Sequence, residues 1–432
     1  MKILIIGTGY VGATTAMVFA EIGWQVTGLD IDAGKIERLR QGRLHFHEPG
    51  LEDLIAKHVR SGRLQFTTDK KTAIEEHDVI FLCVGTPSLP DGSADLRYIG
   101  QAAEDIGRSM KGYKLVVTKS TVPVGTQEQI KKWIEAAQQL TYPFDVASNP
   151  EFLREGKAVE DALRPDRIVI GTDSQRATEQ LQKLYYSFAC PWIVTTPRTA
   201  ELIKYASNSF LATKISYMNE LARLCDELEV NVKEIAEGMG LDPRIGSSFL
   251  QAGLGYGGSC FPKDVSELVM TSRKHHVNLR ILEGVIEVNR TQYAYLLDKA
   301  RSRLTGFADK TITILGLAFK PDTDDIREAP AIRIIDQLLL EQANVQLFDP
   351  IAALPAHASY KAVKVCTSAE EALRGADAII LCTEWPEFGQ LDWKKAKAFL
   401  GQPNFFDGRN MMDAKRMREI GYYYQGIGSG TT

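Results

Sequence analysis

No uninterrupted apolar run in this sequence approaches the ~20 residues that a membrane-spanning helix needs. The opening stretch from Met1 to Ile6 runs straight into Gly7 and is too short for the apolar segment of a secretory signal. Neither sign of charge dominates. The 51 basic and 55 acidic residues leave a net charge of −4, which offers no basic surface for nucleic acid or for a membrane. Cysteine is sparse: the six, at positions 83, 190, 225, 260, 366 and 382, are scattered without a CxxC pair. That spacing argues against structural zinc and against a disulfide framework, and no metal is expected. It fits a reducing cytoplasm. Cys83 and Cys382 lie in strand-like apolar runs, where a thiol acts as a small hydrophobe. What is present is ordinary for a soluble globular chain, with 44% apolar and 25% charged residues. The 432 residues have room for about three domains.

Residues 2–6 read as a fully buried strand. Gly7-Thr8-Gly9-Tyr10-Val11-Gly12 follows, then a helix to about Glu21 and a second strand ending at Asp30. In this order the glycines let a pyrophosphate approach the helix N-terminus, where unpaired N–H groups face it. The acid about 20 residues further on suits two ribose hydroxyls and repels the extra phosphate of NADP. A purely structural glycine turn would not need that whole context, so NAD is the expected cofactor. Strands at 79–84, 115–118 and 145–148 alternate with helical stretches, as in a parallel sheet covered by helices. Loops carrying Thr86, Thr121 and residues 149–156 follow those strands, on the edge where such sheets bind ligands. Turn and cap chemistry accounts well for Thr86 and Thr126 and less well for Glu151 and Glu155.

Strands at 168–170 and 192–195 close this region. Thr199 is the expected cap of a long helix running to about Leu228. Lys204, Asn208, Leu211, Ile215 and Met218 share one face of it, so Lys204 and Asn208 lie one turn apart at the end of an apolar stripe. A lysine drawn into such a site can move a proton or steady an oxyanion, and snorkelling to solvent is the competing account. The stretch 230–300 is helical except for Gly255-Tyr256-Gly257-Gly258-Ser259-Cys260-Phe261-Pro262-Lys263-Asp264. Pro262 suits a first helical turn, which sets Cys260 just before a helix N-terminus, where the dipole favours a thiolate. A buried structural cysteine is the local alternative.

Beyond Gly306 the α/β rhythm resumes, with a strand at 310–316, a helix at 331–340 and a strand at 345–348. Residues 376–383 echo residues 77–84, so the two ends share a nucleotide-binding layout. The second copy lacks GxGxxG, and a nucleotide-like ligand other than a dinucleotide is expected there. The small, polar tail from Gly426 is expected to be mobile. The predicted fold is α/β: two Rossmann-like parallel-sheet domains joined by a long helix and a central helical domain. The boundaries are 1–196 for NAD, 197–300 for the helical, dimer-forming part with the Cys260 loop, and 301–432 for the nucleotide-like ligand.

Five motifs carry a further signal: residues 7–12, 119–126, 149–156, 255–264 and 319–328, the last reading Phe319-Lys320-Pro321-Asp322-Thr323-Asp324-Asp325-Ile326-Arg327-Glu328. Together and in this order they resemble the UDP-glucose/GDP-mannose dehydrogenase family over nearly the whole chain. The resemblance implies a four-electron oxidation of a sugar-nucleotide primary alcohol to a carboxylate, using two NAD+. Phe261, residues 149–156 and Glu384-Trp385-Pro386-Glu387-Phe388 look most like the branch that makes UDP-glucuronate from UDP-glucose. GDP-mannose, UDP-galactose and UDP-N-acetylhexosamines stay open as substrates. A non-catalytic NAD-binding sensor would not need Cys260, Lys204 and Asp264, all of which are present.

By the same resemblance Cys260 is the nucleophile that holds the carbon through a thiohemiacetal and a thioester. Lys204, Asp264 and a water at Thr121 handle the alcohol proton, and Lys204 and Asn208 face the oxyanions. Glu151 is the base for thioester hydrolysis, with Asp264 competing for that role. Gly7, Gly9, Tyr10, Val11, Gly12 and Asp30 are expected to bind NAD. So are Lys35, Thr86, Thr121, Glu155, Lys263 and Arg327. Sugar-nucleotide contacts fall to Glu151, Phe152, Leu153, Arg154 and Glu155, and to Lys204 and Asn208. Phe249, Leu250, Gln251, Ala252, Gly253, Gly257 and Lys320 join them. Arg244 is expected to reach the substrate of a neighbouring subunit in a homodimer or higher homo-oligomer, or else to be a helix-end charge.

Overall fold

The apolar runs become the inner strands of two sheets, in a computed structural model that describes residues 1–430. Two units divide the chain: Met1–Ser207 with Ser266–Val277, and Asn208–Val265 with the chain from Asn278 onward. In the first, Ile3, Leu4 and Ile5 are wholly buried, because a parallel strand covered by helices has no wet face. They belong to β1 (Lys2–Ile6), which lies beside β2 (Gln25–Leu29). The others are β3 (Leu64–Thr67), β4 (Val79–Leu82), β5 (Lys114–Thr118), β6 (Phe144–Ser148), β7 (Ile168–Gly171) and β8 (Trp192–Thr195). Their order is β3-β2-β1-β4-β5-β6-β7-β8.

The expected parallel arrangement holds through β6. β7 then joins β6 antiparallel at the single pair Ser148↔Gly171, and β8 runs parallel to β7. Side chains reinforce that junction: Asn149 Nδ2 donates to the Val169 carbonyl at 2.8 Å, and Thr172 Oγ1 to the Val146 carbonyl at 2.9 Å.

The second unit holds β9 (Thr311–Leu315), β10 (Asn344–Phe348), β11 (Lys364–Val365), β12 (Ala378–Leu381), β13 (Asn404–Asp407) and β14 (Tyr423–Gly426). All pair in parallel, in the order β11-β10-β9-β12-β13-β14. That is the permutation of β3-β2-β1-β4-β5-β6, so the echo between residues 77–84 and 376–383 is a true internal repeat: β4 and β12 hold the same place. The repeat extends to the turns. Gly7 and Gly316 both have φ +91°, and their N–H groups bond the ends of β2 and β10 at Leu29 and Phe348. The acid after β2 accepts from the turn in one copy (Thr8 N–H to Asp30, 2.9 Å). The acid after β10 does so in the other (Leu317 N–H to Asp349, 2.6 Å).

The long helix is continuous over Pro197–Glu227. Its start corrects the expected cap: Pro197 takes the first turn, and Thr196 Oγ1 accepts the Thr199 N–H at 3.3 Å. Proline fixes φ for the first helical position, which leaves the hydroxyl before it as the cap. Helices also cover Val232–Gly240, Phe261–Lys274 and Arg280–Leu304, as the pattern over 230–300 requires. The tail departs from expectation. β14 ends in Gly426, Ile427 is wholly buried, and Gly428 bonds Asp226 through its N–H and Val232 through its carbonyl. Backbone bonds and an apolar anchor therefore hold residues 426–430, while Thr431 and Thr432 lie outside the described residues. Among the described residues no helix is long and apolar enough to cross a membrane.

Candidate active site

In the first unit the glycines of the first turn divide by what surrounds them. A Cβ on Gly12 would fall 1.8 Å from the Gly7 carbonyl oxygen, and one on Gly7 would lie 2.8 Å from the backbone of Cys83 and Val84. Those two let the helix Tyr10–Glu21 pack against the sheet. A Cβ on Gly9 would meet nothing within 4 Å, so this glycine keeps open space at the helix N-terminus. That space, with free N–H groups facing it, fits a dinucleotide pyrophosphate. Asp30 stands at the end of β2, half-buried. Burial raises its pKa, but the Thr8 N–H, the Asp32 N–H and the Thr8 hydroxyl outweigh this and hold the carboxyl below its usual range. An ionised acid at this place is suited to accept ribose hydroxyls. Lys35, Val11 and Glu155 are half-buried nearby in sequence or fold. Thr86 is buried, its hydroxyl bonded to the Thr121 carbonyl at 2.8 Å.

The same unit brings Lys204 to Glu151. Nζ donates to Oε1 at 2.9 Å, with the side chains 3% and 6% exposed. The second oxygen of Glu151 accepts the Leu153 N–H at 2.6 Å. Burial pushes the Glu151 carboxyl up, yet Lys204, that N–H and Lys119 bring it below the usual value. Lys119, which sequence reasoning quoted in a motif but gave no role, bonds Asn149 Oδ1 at 3.2 Å and the Tyr185 hydroxyl at 3.4 Å. Burial pushes its ammonium down to about 8 despite the attraction of Glu151. The Phe152 ring lies under two cations, 3.8 Å from the Arg167 guanidinium and 5.4 Å from Lys204 Nζ. Lys204 is thus a buried, paired lysine, and the snorkelling account fails.

In the second unit Cys260 is half-buried immediately before the helix Phe261–Lys274, and its carbonyl accepts the Asp264 N–H at 2.8 Å. Asp264 is wholly buried. One oxygen takes Asn208 Nδ2 at 2.6 Å and the other takes Lys263 Nζ. The Cys260 sulfur lies 3.5 Å from the Ser259 hydroxyl. The loop leading to it is held rigidly. Asn289 bonds both the N–H and the carbonyl of Tyr256, Asn219 takes the Gly253 N–H, and Arg409 donates to Gly255 and Phe319. A Cβ on Gly257 would lie 2.5 Å from the Glu328 carbonyl, and one on Gly258 2.7 Å from the Phe319 ring. The room these glycines leave is therefore filled by the protein itself.

Leu250, Ala252 and Gly253 are buried and Gln251 is exposed. Phe249 has φ +64°, a conformation that costs an aromatic residue about 1–2 kcal/mol, and its ring centre is 6.1 Å from that of Phe261. Lys320 Nζ lies 5.3 Å from the centre of the Phe319 ring. The three arginines expected at ligands are each engaged by an aspartate close in sequence: Arg154 by Asp161, Arg244 by Asp242 and Arg327 by Asp325. Sequence reasoning also passed over Glu48, Asn289 and Arg409, whose partners are far away along the chain. Among the described residues no group of three or more His, Cys, Asp or Glu side chains could hold a metal ion.

Comparison with known proteins adds three matches along the chain. The UDP-glucose/GDP-mannose dehydrogenase family's NAD binding domain matches residues 1–189, its central domain residues 198–291 and its UDP binding domain residues 313–414. The UDP-glucose 6-dehydrogenase TuaD of Bacillus subtilis (strain 168) is 44% identical over 99% of this chain and 93% of its own length. The UDP-glucose 6-dehydrogenase of Rhizobium meliloti (strain 1021) is 44% identical over 99% of both. A solved UDP-glucose dehydrogenase from the archaeon Pyrobaculum islandicum superposes with a TM-score of 0.92 at 40% identity, covering 99% of this chain and 97% of that one.

Proposed function

Because this chain belongs to the UDP-glucose/GDP-mannose dehydrogenase family, we propose that it oxidises UDP-glucose to UDP-glucuronate with two NAD+ and water. It is an NAD-dependent oxidoreductase, and the open space beside Gly9 and the ionised Asp30 fit that cofactor. The choice of UDP-glucose is supported by full-length likeness to enzymes that bear its name.

Bound NAD+ supplies the hydride acceptor for both oxidations. Removing hydride from the alcohol carbon requires the hydroxyl proton to leave; a water at Thr121 and the Lys204 ammonium relay it, and the Asp264 carboxylate is its acceptor. The Cys260 thiolate then adds to the aldehyde carbon, forming a C–S bond, and the oxygen takes a proton to give a thiohemiacetal. Loss of a second hydride and that proton leaves a thioester. Lys204 and Asn208 steady the oxyanions on either side of these steps. Glu151 deprotonates the water that adds to the thioester, the C–S bond breaks, and the carboxylate departs with the thiolate restored. Asp264 is the second candidate for that base. One observation carries the scheme: a half-buried Cys260 stands before a helix whose first turn holds the buried, bonded Asp264.

Residues 1–196 serve the cofactor in this reading, 197–300 the chemistry and subunit contact, and 301–432 the nucleotide sugar. Phe210, Tyr217 and Leu224 lie seven residues apart on the long helix and are 66%, 49% and 52% exposed. That stripe supports a homodimer. The Arg244 side chain, 87% exposed and steadied by Asp242, is assigned to the partner's substrate. A reducing compartment, the cytoplasm, keeps Cys260 out of disulfides.

The test is a count of NADH against UDP-glucose consumed by the purified protein. Two NADH per sugar are expected. One NADH with free aldehyde sinks the cysteine scheme, and turnover of GDP-mannose but not UDP-glucose sinks the substrate.

A further inference from the structure

Glu48 is a buried carboxylate, 4% exposed, with no part in the scheme above. It lies in the turn before the helix Leu51–Arg60, where its own carbonyl accepts the Leu51 N–H. Its side chain accepts three donors from distant parts of the first unit. One is the Tyr10 hydroxyl, in the first turn of the helix beside Gly9. The others are the N–H groups of Gly156 at 2.6 Å and Ala158 at 2.7 Å. The helix Ala158–Leu163 has no side-chain cap of its own, so Glu48 serves as one from outside. Gly156 sits at φ +80°, and the Tyr10 hydroxyl also lies 3.3 Å from the Arg154 carbonyl. Tyr10 and Glu48 therefore grip both flanks of the turn that ends the loop 149–156.

We propose that Glu48 is a positioning residue that couples cofactor binding at the Gly7–Gly12 turn to sugar-nucleotide binding at the loop 151–155, with the Tyr10 hydroxyl as the link. The inference rests on the ligand assignments made under Proposed function. A pyrophosphate at Gly9 bears on the first turn of the helix that starts at Tyr10, and so fixes the ring. The ring hydroxyl fixes the Glu48 carboxylate, and the carboxylate fixes Gly156 and Ala158. Such coupling acts in both directions.

The test is calorimetric titration of UDP-glucose into the full-length protein, alone and with saturating NADH, which permits no turnover. For the wild type, NADH is expected to tighten UDP-glucose about fivefold or more. Tyr10→Phe removes only the hydroxyl and is expected to bring that ratio to about one. Glu48→Ala is expected to do the same while weakening both titrations, and where it fails to fold Tyr10→Phe decides alone. A merely structural role weakens both titrations equally and leaves the ratio as in the wild type. That result, or a wild-type ratio of one, overturns the coupling. Failure of the wild type to bind UDP-glucose in either titration instead overturns the substrate assignment, and the coupling with it.

Discussion

Lys204 and Glu151 form a 2.9 Å ion pair that water scarcely reaches. Desolvating two charges costs about as much as their attraction returns, so such a pair adds little net stability. Removing one partner costs about 3–5 kcal/mol, because the other is left buried and unpaired. The pair is therefore better explained by chemistry than by folding.

Lys204→Met is expected to lose turnover and to lower stability in urea by about 3–5 kcal/mol. Adding Glu151→Gln should restore much of the stability and none of the turnover. A double variant that turns over would remove both residues from the mechanism.

Lys119 has its ammonium pushed down to about 8, below its unfolded value. Between that pH and about 10.4 the unfolded chain binds more protons at this site, so stability rises with pH there. Below about 8 the cost of the buried charge is fully present. Urea melts of the wild type, referred to Lys119→Met, should show the wild type gaining as pH climbs through this window. A flat or falling difference would contradict the burial of that charge.

Gly9 and Gly12 should part ways when each is changed to alanine. Gly9→Ala meets open space and is expected to melt like the wild type while losing NADH affinity, read by fluorescence titration. Gly12→Ala drives a methyl into the Gly7 carbonyl and should lose about 1–3 kcal/mol or more. Equal melting curves for the two variants would refute the division of roles.

For Cys260→Ser the steady release of NADH should fall to background while NADH binding stays within about twofold, since the cofactor turn lies elsewhere in the chain. Normal turnover would eliminate the covalent intermediate.

Phe210→Ser should shift the protein toward monomer in sedimentation, since it breaks the exposed stripe with Tyr217 and Leu224. Arg244→Ala should raise the KM for the sugar nucleotide without that shift. If Arg244→Ala leaves KM unchanged, Arg244 is only a surface charge held by Asp242.

How much of this was legible follows from distance along the chain. β1 and β4 are short apolar runs bounded by turn residues, β2 is marked by its place between the first helix and Asp30, and Pro262 alone fixes where Cys260 stands relative to its helix. β3 and β11 are short edge strands that mix apolar and polar side chains, so no apolar run betrays them. The antiparallel entry of β7 leaves no trace, because burial pattern does not encode strand direction. The Thr199 cap was misplaced by three residues because the proline two positions before it outranks a hydroxyl. Glu48 lies 108 residues from Gly156, and Lys119 lies 30 from Asn149. No local pattern announces either pairing.

Asp30 and Asp349 occupy one position in a layout that occurs twice. Asp349 is saturated by its own chain: Leu317, Ala318 and the Trp385 indole on one oxygen, Ile351 and Ala352 on the other. Among the described residues Asp30 has a single donor on Oδ1 and so keeps lone pairs for a visitor. The two halves thus differ in one carboxylate, which keeps accepting capacity in the first and is spent on its own chain in the second. Anyone seeking to install a second dinucleotide site would have to free Asp349 before adding a single glycine.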